Sequence, residues 1–214
     1  STQAKTLFPY TTLFRSRFIP LSAFVLTCVL LTACGSKDKE QEFKDKEVPV
    51  EQLYTMAANQ LDAGQYDKAA DTFDAVDRQY PYSEWATRAQ LMGAYAYYRD
   101  LDYDQAIALL NRFIQLHPGS KDIDYAYYLK ALSYYEQITD VRRDQEMTRN
   151  AMEALDAILE RFPNSRYARD AQLKKDLTLD HLAGKEMDVG RYYEKQGIYS
   201  AALMRFQNVV KTYQ

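Results

Sequence analysis

Residues Tyr103 to Pro118 read YDQAIALLNRFIQLHP, and this stretch decides the fold. Ala106, Leu110 and Phe113 fall at i, i+4 and i+7, which places them on one face of a helix. Pro118 closes that helix, because proline lacks the N–H a further turn needs and biases the residue before it away from helical geometry. The string recurs. Tyr66-Asp67-Lys68-Ala69 leads to Phe73, Val76 and Pro81; Thr148 leads to Ala151, Leu155, Ile158 and Pro163; Tyr199 leads to Ala202, Phe206 and Val209. In the first three units the Tyr/Thr-to-Ala interval is 3 and the Ala-to-Pro interval is 12, while in the fourth the proline slot falls on Gln214, the last residue.

A second helix precedes each of these. Gly93-Ala94-Tyr95-Ala96-Tyr97-Tyr98 aligns with Lys130-Ala131-Leu132-Ser133-Tyr134-Tyr135, and the same slots hold Ala57 and Gln60 in the first unit and Gly190 and Tyr193 in the fourth. Small residues let two helices approach, and Gly64 and Gly197 suit left-handed turns between them. These offsets resemble the tetratricopeptide repeat. The expected fold is therefore all-α: a tetratricopeptide-repeat superhelix of stacked helix hairpins with about four repeats over 51–214, truncated before a fifth. Pro118 to Pro163 is 45 residues against 37 for Pro81 to Pro118, and the excess falls between Ile138 and Glu146, as a polar insertion inside the third hairpin.

Composition agrees. Of 214 residues, 47% are hydrophobic and 27% charged, as in a globular chain, and 7 Gly with 6 Pro are too few for an all-β protein rich in tight turns. Two Cys and 2 His argue against a disulfide framework or a metal centre, and a net charge of −3 carries no nucleic-acid signature. No Gly-rich phosphate loop, GxSxG or HExxH occurs. No nucleophile lies in sequence with a base; His117 reads as capping or exposed, and His181 as surface. The reading is of a protein that is not an enzyme and has no cofactor and no metal. The odd figure is 19 Tyr against 9 Phe and 1 Trp, aromatic area with a polar tip.

The first 33 residues read differently. Ser1 to Ser16 lack acids and a clear period, and are taken as partly non-native. Arg15 and Arg17 then flank the uncharged run Phe18 to Ala33, whose 16 residues are short for a membrane span but suit a signal-peptide core. The run ends in Leu31-Thr32-Ala33-Cys34, which resembles the bacterial lipobox. The expected leader is 1–33, with Cys34 lipidated and 34–50 a solvated tether able to span on the order of 50 Å when extended. Loss of Lys5, Arg15 and Arg17, with no acid, would take the charge from −3 to −6, so acyl chains rather than basic residues would hold the body at the bilayer. Gly35 in place of Asp favours the outer membrane, its periplasmic face, by the sorting rule of such lipoproteins.

In repeats of this kind the first helix of each hairpin lines the concave face. The groove positions would be Tyr54 and Leu61 in the first unit, Leu91, Tyr95 and Tyr98 in the second, and Tyr125, Tyr128 and Tyr135 in the third. Tyrosine there can bury its ring against a peptide and hydrogen-bond its backbone; the competing use is to seal one repeat against the next.

Lipobox, tether and array together resemble the ComL-type (BamD) family of outer-membrane assembly lipoproteins. The residues carrying the resemblance are Leu31-Thr32-Ala33-Cys34, Gln65-Tyr66-Asp67-Lys68-Ala69, Arg78-Gln79-Tyr80-Pro81, Ala94-Tyr95-Ala96-Tyr97-Tyr98, Arg112 to Pro118, Ile123-Asp124-Tyr125, Phe162-Pro163-Asn164-Ser165 and Tyr192-Tyr193. The resemblance implies a non-enzymatic scaffold of the β-barrel assembly machine. Its partners would be unfolded outer-membrane protein precursors, the POTRA-bearing barrel subunit, other assembly lipoproteins, and the membrane through its lipid. It also implies a contact to the barrel subunit at Arg205, and a fifth repeat beyond Gln214. The rival readings are another periplasmic repeat lipoprotein, such as a pilus-biogenesis pilotin, and a peptidoglycan-associated protein or envelope enzyme.

Overall fold

The computed structural model describes residues 48–140 and 145–213. The leader, Cys34, the tether up to residue 47, the centre of the insertion at 141–144 and Gln214 lie outside the described residues. Eight helices follow in order among them: α1 (Val50–Asp62), α2 (Tyr66–Gln79), α3 (Glu84–Arg99), α4 (Tyr103–Leu116), α5 (Ile123–Tyr135), α6 (Glu146–Arg161), α7 (Ala168–Lys195) and α8 (Tyr199–Thr212). Each packs on the one before and the one after it. The hairpins are α1/α2, α3/α4 and α5/α6, with α8 folded back on the end of α7.

The repeat slots are the packing slots. Ala69, Ala106 and Ala151 are buried, as are Phe73, Leu110 and Leu155 four residues on and Val76, Phe113 and Ile158 seven on. Ala57, Ala94 and Ala131 on the first helices are buried opposite them. The apolar interior is thus divided into clusters at successive helix junctions, the arrangement of a one-dimensional stack. Helix ends follow local chemistry. The Ser83 hydroxyl accepts from the Ala86 N–H and the Asp102 carboxylate from the Gln105 N–H, capping α3 and α4. Helices α2, α4 and α6 stop at Gln79, Leu116 and Arg161, two residues before Pro81, Pro118 and Pro163. Gly64 and Gly197 take φ of +73° and +75° in the hairpin turns, and Leu101 takes +65° in the corresponding turn between α3 and α4.

One element departs from a regular array. α7 runs for 28 residues, about twice the length of α8. Its first half packs under α5 and α6, where Lys175 Nζ lies 2.6 Å from Asp156 of α6. Its second half receives α8, where the ring of Phe206 lies over Gly190. The first helix of the fourth unit is therefore fused to the helix that closes the third, with no proline between them.

Same-rank contacts show which side of the stack is tight. Besides their sequence neighbours, α1 touches α3, α3 touches α5 and α5 touches α7. The second helices α2, α4, α6 and α8 make no such contacts with one another among the described residues. The first helices thus form a continuous row, and the candidate site lies on it.

Candidate peptide-binding site

Helical spacing puts Tyr95 and Tyr98 together on α3, and Tyr125, Tyr128 and Tyr135 on one face of α5. Because α3 touches α5 and α5 touches α7, the two faces meet, and Tyr167 at the entry to α7 joins them. Tyr95 stacks on Tyr98 with centroids 6.5 Å apart, and Tyr98 meets Tyr103 at 5.8 Å. Tyr167 lies 4.7 Å from Tyr128 in a near-parallel stack and 5.4 Å from Tyr125. Tyr125 in turn lies within electrostatic reach of Tyr95, Tyr98 and Tyr167. The result is a half-buried aromatic band across three helices.

Several phenols in the band are already bonded. Tyr128 donates to Asp170 Oδ2 at 2.5 Å, and Lys174 Nζ sits 3.1 Å from the same oxygen. Lys174 also lies 5.3 Å from the Tyr135 ring centroid. The Tyr95 hydroxyl accepts from Arg99 Nη1 at 2.9 Å, and Tyr66 accepts from Arg99 Nη2. Ser165 donates to Asp124 Oδ2 at 2.6 Å, adding a second polar tie across the α5–α7 junction. The hydroxyls of Tyr98 and Tyr125 have no hydrogen-bond partner among the described residues.

Burial, with Glu136 as the next cause, pushes the Tyr98 phenol up to about 12. Burial likewise raises Tyr125, and raises Tyr128 with the help of its bond to Asp170. At neutral pH all three keep their protons and can donate. Burial opposes ionisation of Asp170, but the bonds from Tyr128 and Lys174 outweigh it and hold its carboxyl below the usual range.

Three of the expected groove residues sit elsewhere. Leu91 is 7% exposed and packs with Ala94, Leu110, Phe113, Ala126 and Leu129, so its side chain is core rather than lining. It points into the α3–α4–α5 junction because its neighbours on that face of α3 are the repeat's small residues. Tyr54 is wedged against Phe73 at 5.4 Å and Trp85 at 4.8 Å, a seal between the first two hairpins and away from the band. Leu61 is partly buried in the cluster around Phe73. Tyr95, Tyr98, Tyr125 and Tyr128 are brought together, and Tyr135 is placed further along α5. Tyr167, Tyr66 and Arg99 belong to the band although none was among the expected groove positions. Tyr167 follows the third proline by four residues, in the turn rather than in a repeat slot.

The remaining sequence expectations fall out as follows. His117 caps α4 through its backbone, and its Nε2 lies 3.0 Å from Gln90 Oε1. His181 is partly buried rather than freely exposed: its Nδ1 is shielded and has no hydrogen-bond partner among the described residues. Arg205 is exposed on α8, and its Nη1 lies 3.2 and 3.1 Å from the two carboxylate oxygens of Glu186 on α7. Among the described residues no His, Cys, Asp and Glu cluster could hold a metal ion, and no helix is long and apolar enough to cross a membrane.

Known proteins with similar sequences carry a consistent description. The family model described as YfiO, outer membrane lipoprotein, matches residues 46–214. The outer membrane protein assembly factor BamD of Caulobacter vibrioides is 45% identical over 202 residues, covering 94% of this chain and 66% of its own length. BamD of Rickettsia prowazekii is 43% identical over 194 residues, covering 91% of this chain and 76% of its own. Neisseria meningitidis serogroup B BamD is 36% identical over 197 residues, covering 86% and 73%. The chain thus spans about two thirds to three quarters of the length of these relatives. A helical array with small residues at its junctions, matched in sequence through its whole described length, belongs to the YfiO family of outer membrane lipoproteins, the BamD-type outer membrane protein assembly factors.

Proposed function

We propose that this protein is a non-enzymatic scaffold of the β-barrel assembly machine, anchored by acyl chains on Cys34 to the periplasmic face of the outer membrane. The array receives unfolded outer-membrane proteins on its first-helix row and docks through its last hairpin on the POTRA-bearing barrel subunit. Family membership over residues 46–214 carries this reading. The band of half-buried tyrosines supports the client role, because such rings offer area and O–H donors at little conformational cost. The exposed Arg205 supports the docking role, since Glu186 holds its guanidinium in place at the surface.

Two experiments test the parts separately. A photo-crosslinker at position 98 or 128 is expected to label a peptide taken from the C-terminal strand of a barrel protein well above a control at Tyr82, which is fully exposed and outside the band. Equal labelling would remove the client groove. In a pull-down with the barrel subunit's periplasmic domains, Arg205→Ala and Arg205→Glu are both expected to weaken capture, the reversal more strongly. Undiminished capture by both would show that docking uses another surface.

A further inference from the structure

Short connections set consecutive helices antiparallel, so the α2–α3, α4–α5 and α6–α7 turns share one edge of the stack with the start of α1. Two ties join parts of that edge. The Tyr80 hydroxyl donates to the Val48 carbonyl at 2.6 Å, and Ser165 donates to Asp124 Oδ2 at the same distance. Between the α4–α5 and α6–α7 turns the edge holds a cavity of about 320 Å³. Ile123, Phe162 and Pro163 give it apolar walls, and Lys121 and Arg161 are its cations.

Both cations are exposed, and neither has a carboxylate within ion-pair distance among the described residues. Arg161 lies 5.4 Å from the Tyr127 centroid, which steadies its guanidinium without neutralising it. Asp124 also lines the cavity, but its two oxygens accept from the Tyr125 N–H at 2.8 Å and from Ser165. Arg166 and Arg169, exposed at the entry to α7, add two more cations without an ion pair among the described residues. Free cations above apolar walls fit an amphiphilic anion, and an arginine fork matches phosphate oxygens in two-point geometry. The chain enters the fold on the same edge, at Val48 beneath Tyr80. The adjoining turn presents Tyr82 fully exposed, a ring with a polar tip suited to the headgroup level of a bilayer. The opposite edge carries Asp100, Asp102, Asp104, Glu136 and Asp140 around its turns, which a negative membrane surface repels. A tether able to span on the order of 50 Å leaves the orientation of the array free, so the edges themselves decide it.

We propose that this edge lies against the bilayer that anchors Cys34, and that the Lys121–Arg161 cavity holds the phosphodiester headgroup of an anionic phospholipid of the phosphatidylglycerol type. This rests on the anchoring reading above and adds which side of the array faces the membrane. The acyl chains supply retention, and the headgroup supplies orientation.

The test uses the acylated chain, reconstituted through its own anchor in phosphatidylethanolamine vesicles with a rising fraction of phosphatidylglycerol. A photo-crosslinker replaces either Asn164, at the cavity, or Gln105, exposed on the opposite edge, and lipid adducts are read by mass spectrometry. Adducts at Asn164 are expected to rise with the phosphatidylglycerol fraction and those at Gln105 to stay at background. Lys121→Gln and Arg161→Gln are each expected to raise the half-saturating fraction about fivefold. Lys68→Gln makes the same charge change on the opposite edge and is expected to leave that fraction in place. Equal labelling from both positions, labelling independent of phosphatidylglycerol, or an unchanged half-saturating fraction in both cavity variants would overturn the headgroup site. Displacement by an equal concentration of soluble glycerophosphoglycerol would overturn the bilayer assignment, because it would show a site for a free phosphodiester. The anchor has its own control in flotation with vesicles lacking phosphatidylglycerol. Failure to float removes the anchoring reading and this proposal together, whereas flotation without labelling at Asn164 removes this proposal alone.

Discussion

Leu101 occupies the turn between α3 and α4 with φ of +65°, a geometry its counterparts meet with Gly64 and Gly197. A side chain in that region costs about 1–2 kcal/mol, and this one gains little in return because it is 69% exposed. Leu101→Gly is expected to raise stability by about 0.5–1 kcal/mol in urea denaturation, after allowing for glycine's larger entropy in the unfolded chain. The tyrosine–aspartate contact makes the opposite kind of prediction. Tyr128→Phe leaves the ring stack on Tyr167 but removes the bond to Asp170, so a loss of about 1 kcal/mol is expected in the same assay. The folded Asp170 pKa is depressed, so its contribution is present above the unfolded carboxylate pKa and fades as pH falls through the folded value. The tyrosines have the reverse sign. Tyr98 is raised to about 12, so its folded form holds a proton that the unfolded chain has released. Stability is therefore expected to fall between about pH 10 and 12, and Tyr98→Phe to flatten that fall in an alkaline unfolding titration. At a third place geometry settles a proton that is not itself observed. Gln90 Nε2 donates to Asp77 Oδ1 at 2.8 Å, so Gln90 Oε1 faces His117, and the His117 Nε2 must carry hydrogen.

At the level of helices, the proline-bounded strings were readable because each slot has one physical task. The alanines had to be small, the residues four and seven places on had to fill the junction, and the prolines had to stop the helix. The fourth hairpin shows the same logic at closer quarters. A Cβ on Gly190 would lie 2.3 Å from Phe206 Cε1, so either the ring or α8 would have to shift. Gly190→Ala is expected to cost about 1–3 kcal/mol, and Gly190→Ala with Phe206→Leu less than that, as read by the thermal transition of helix content. What the sequence concealed was the extent of α7. Its repeat slots begin only at Gly190, and the preceding stretch from Ala168 carries neither a proline nor the repeat's small-and-aromatic pattern. The tyrosine band was half legible. Spacing on α3 and α5 selected Tyr95, Tyr98, Tyr125 and Tyr128, but Tyr167 and Arg99 enter through contacts between helices, which no single-helix pattern contains. Leu91 misled for the same reason: its periodicity suits either face of α3, and only the position of α4 decides between them.

Across the whole described array, stability is a sum over neighbours rather than the property of one centre. α8 touches α7 and no other helix among the described residues, and Leu203, Met204 and Val210 on it are exposed. Its amide hydrogens are accordingly expected to exchange sooner than those of α2 to α5, each of which is packed on two sides. Protection of α8 equal to that of α4 would contradict this order. The continuous α7 also constrains what length changes the molecule can absorb. Between Asp170, which ties the tyrosine band, and Glu186, which steadies Arg205, lie 16 helical steps, or about 24 Å of axis. Deleting one residue from that interval would draw the terminal hairpin in by about 1.5 Å and swing its azimuth by about 100°. Removing seven would return nearly the original orientation. Indels in this shaft are therefore phased: they keep the proposed docking surface aligned with the proposed peptide surface only when they come close to a whole number of turns.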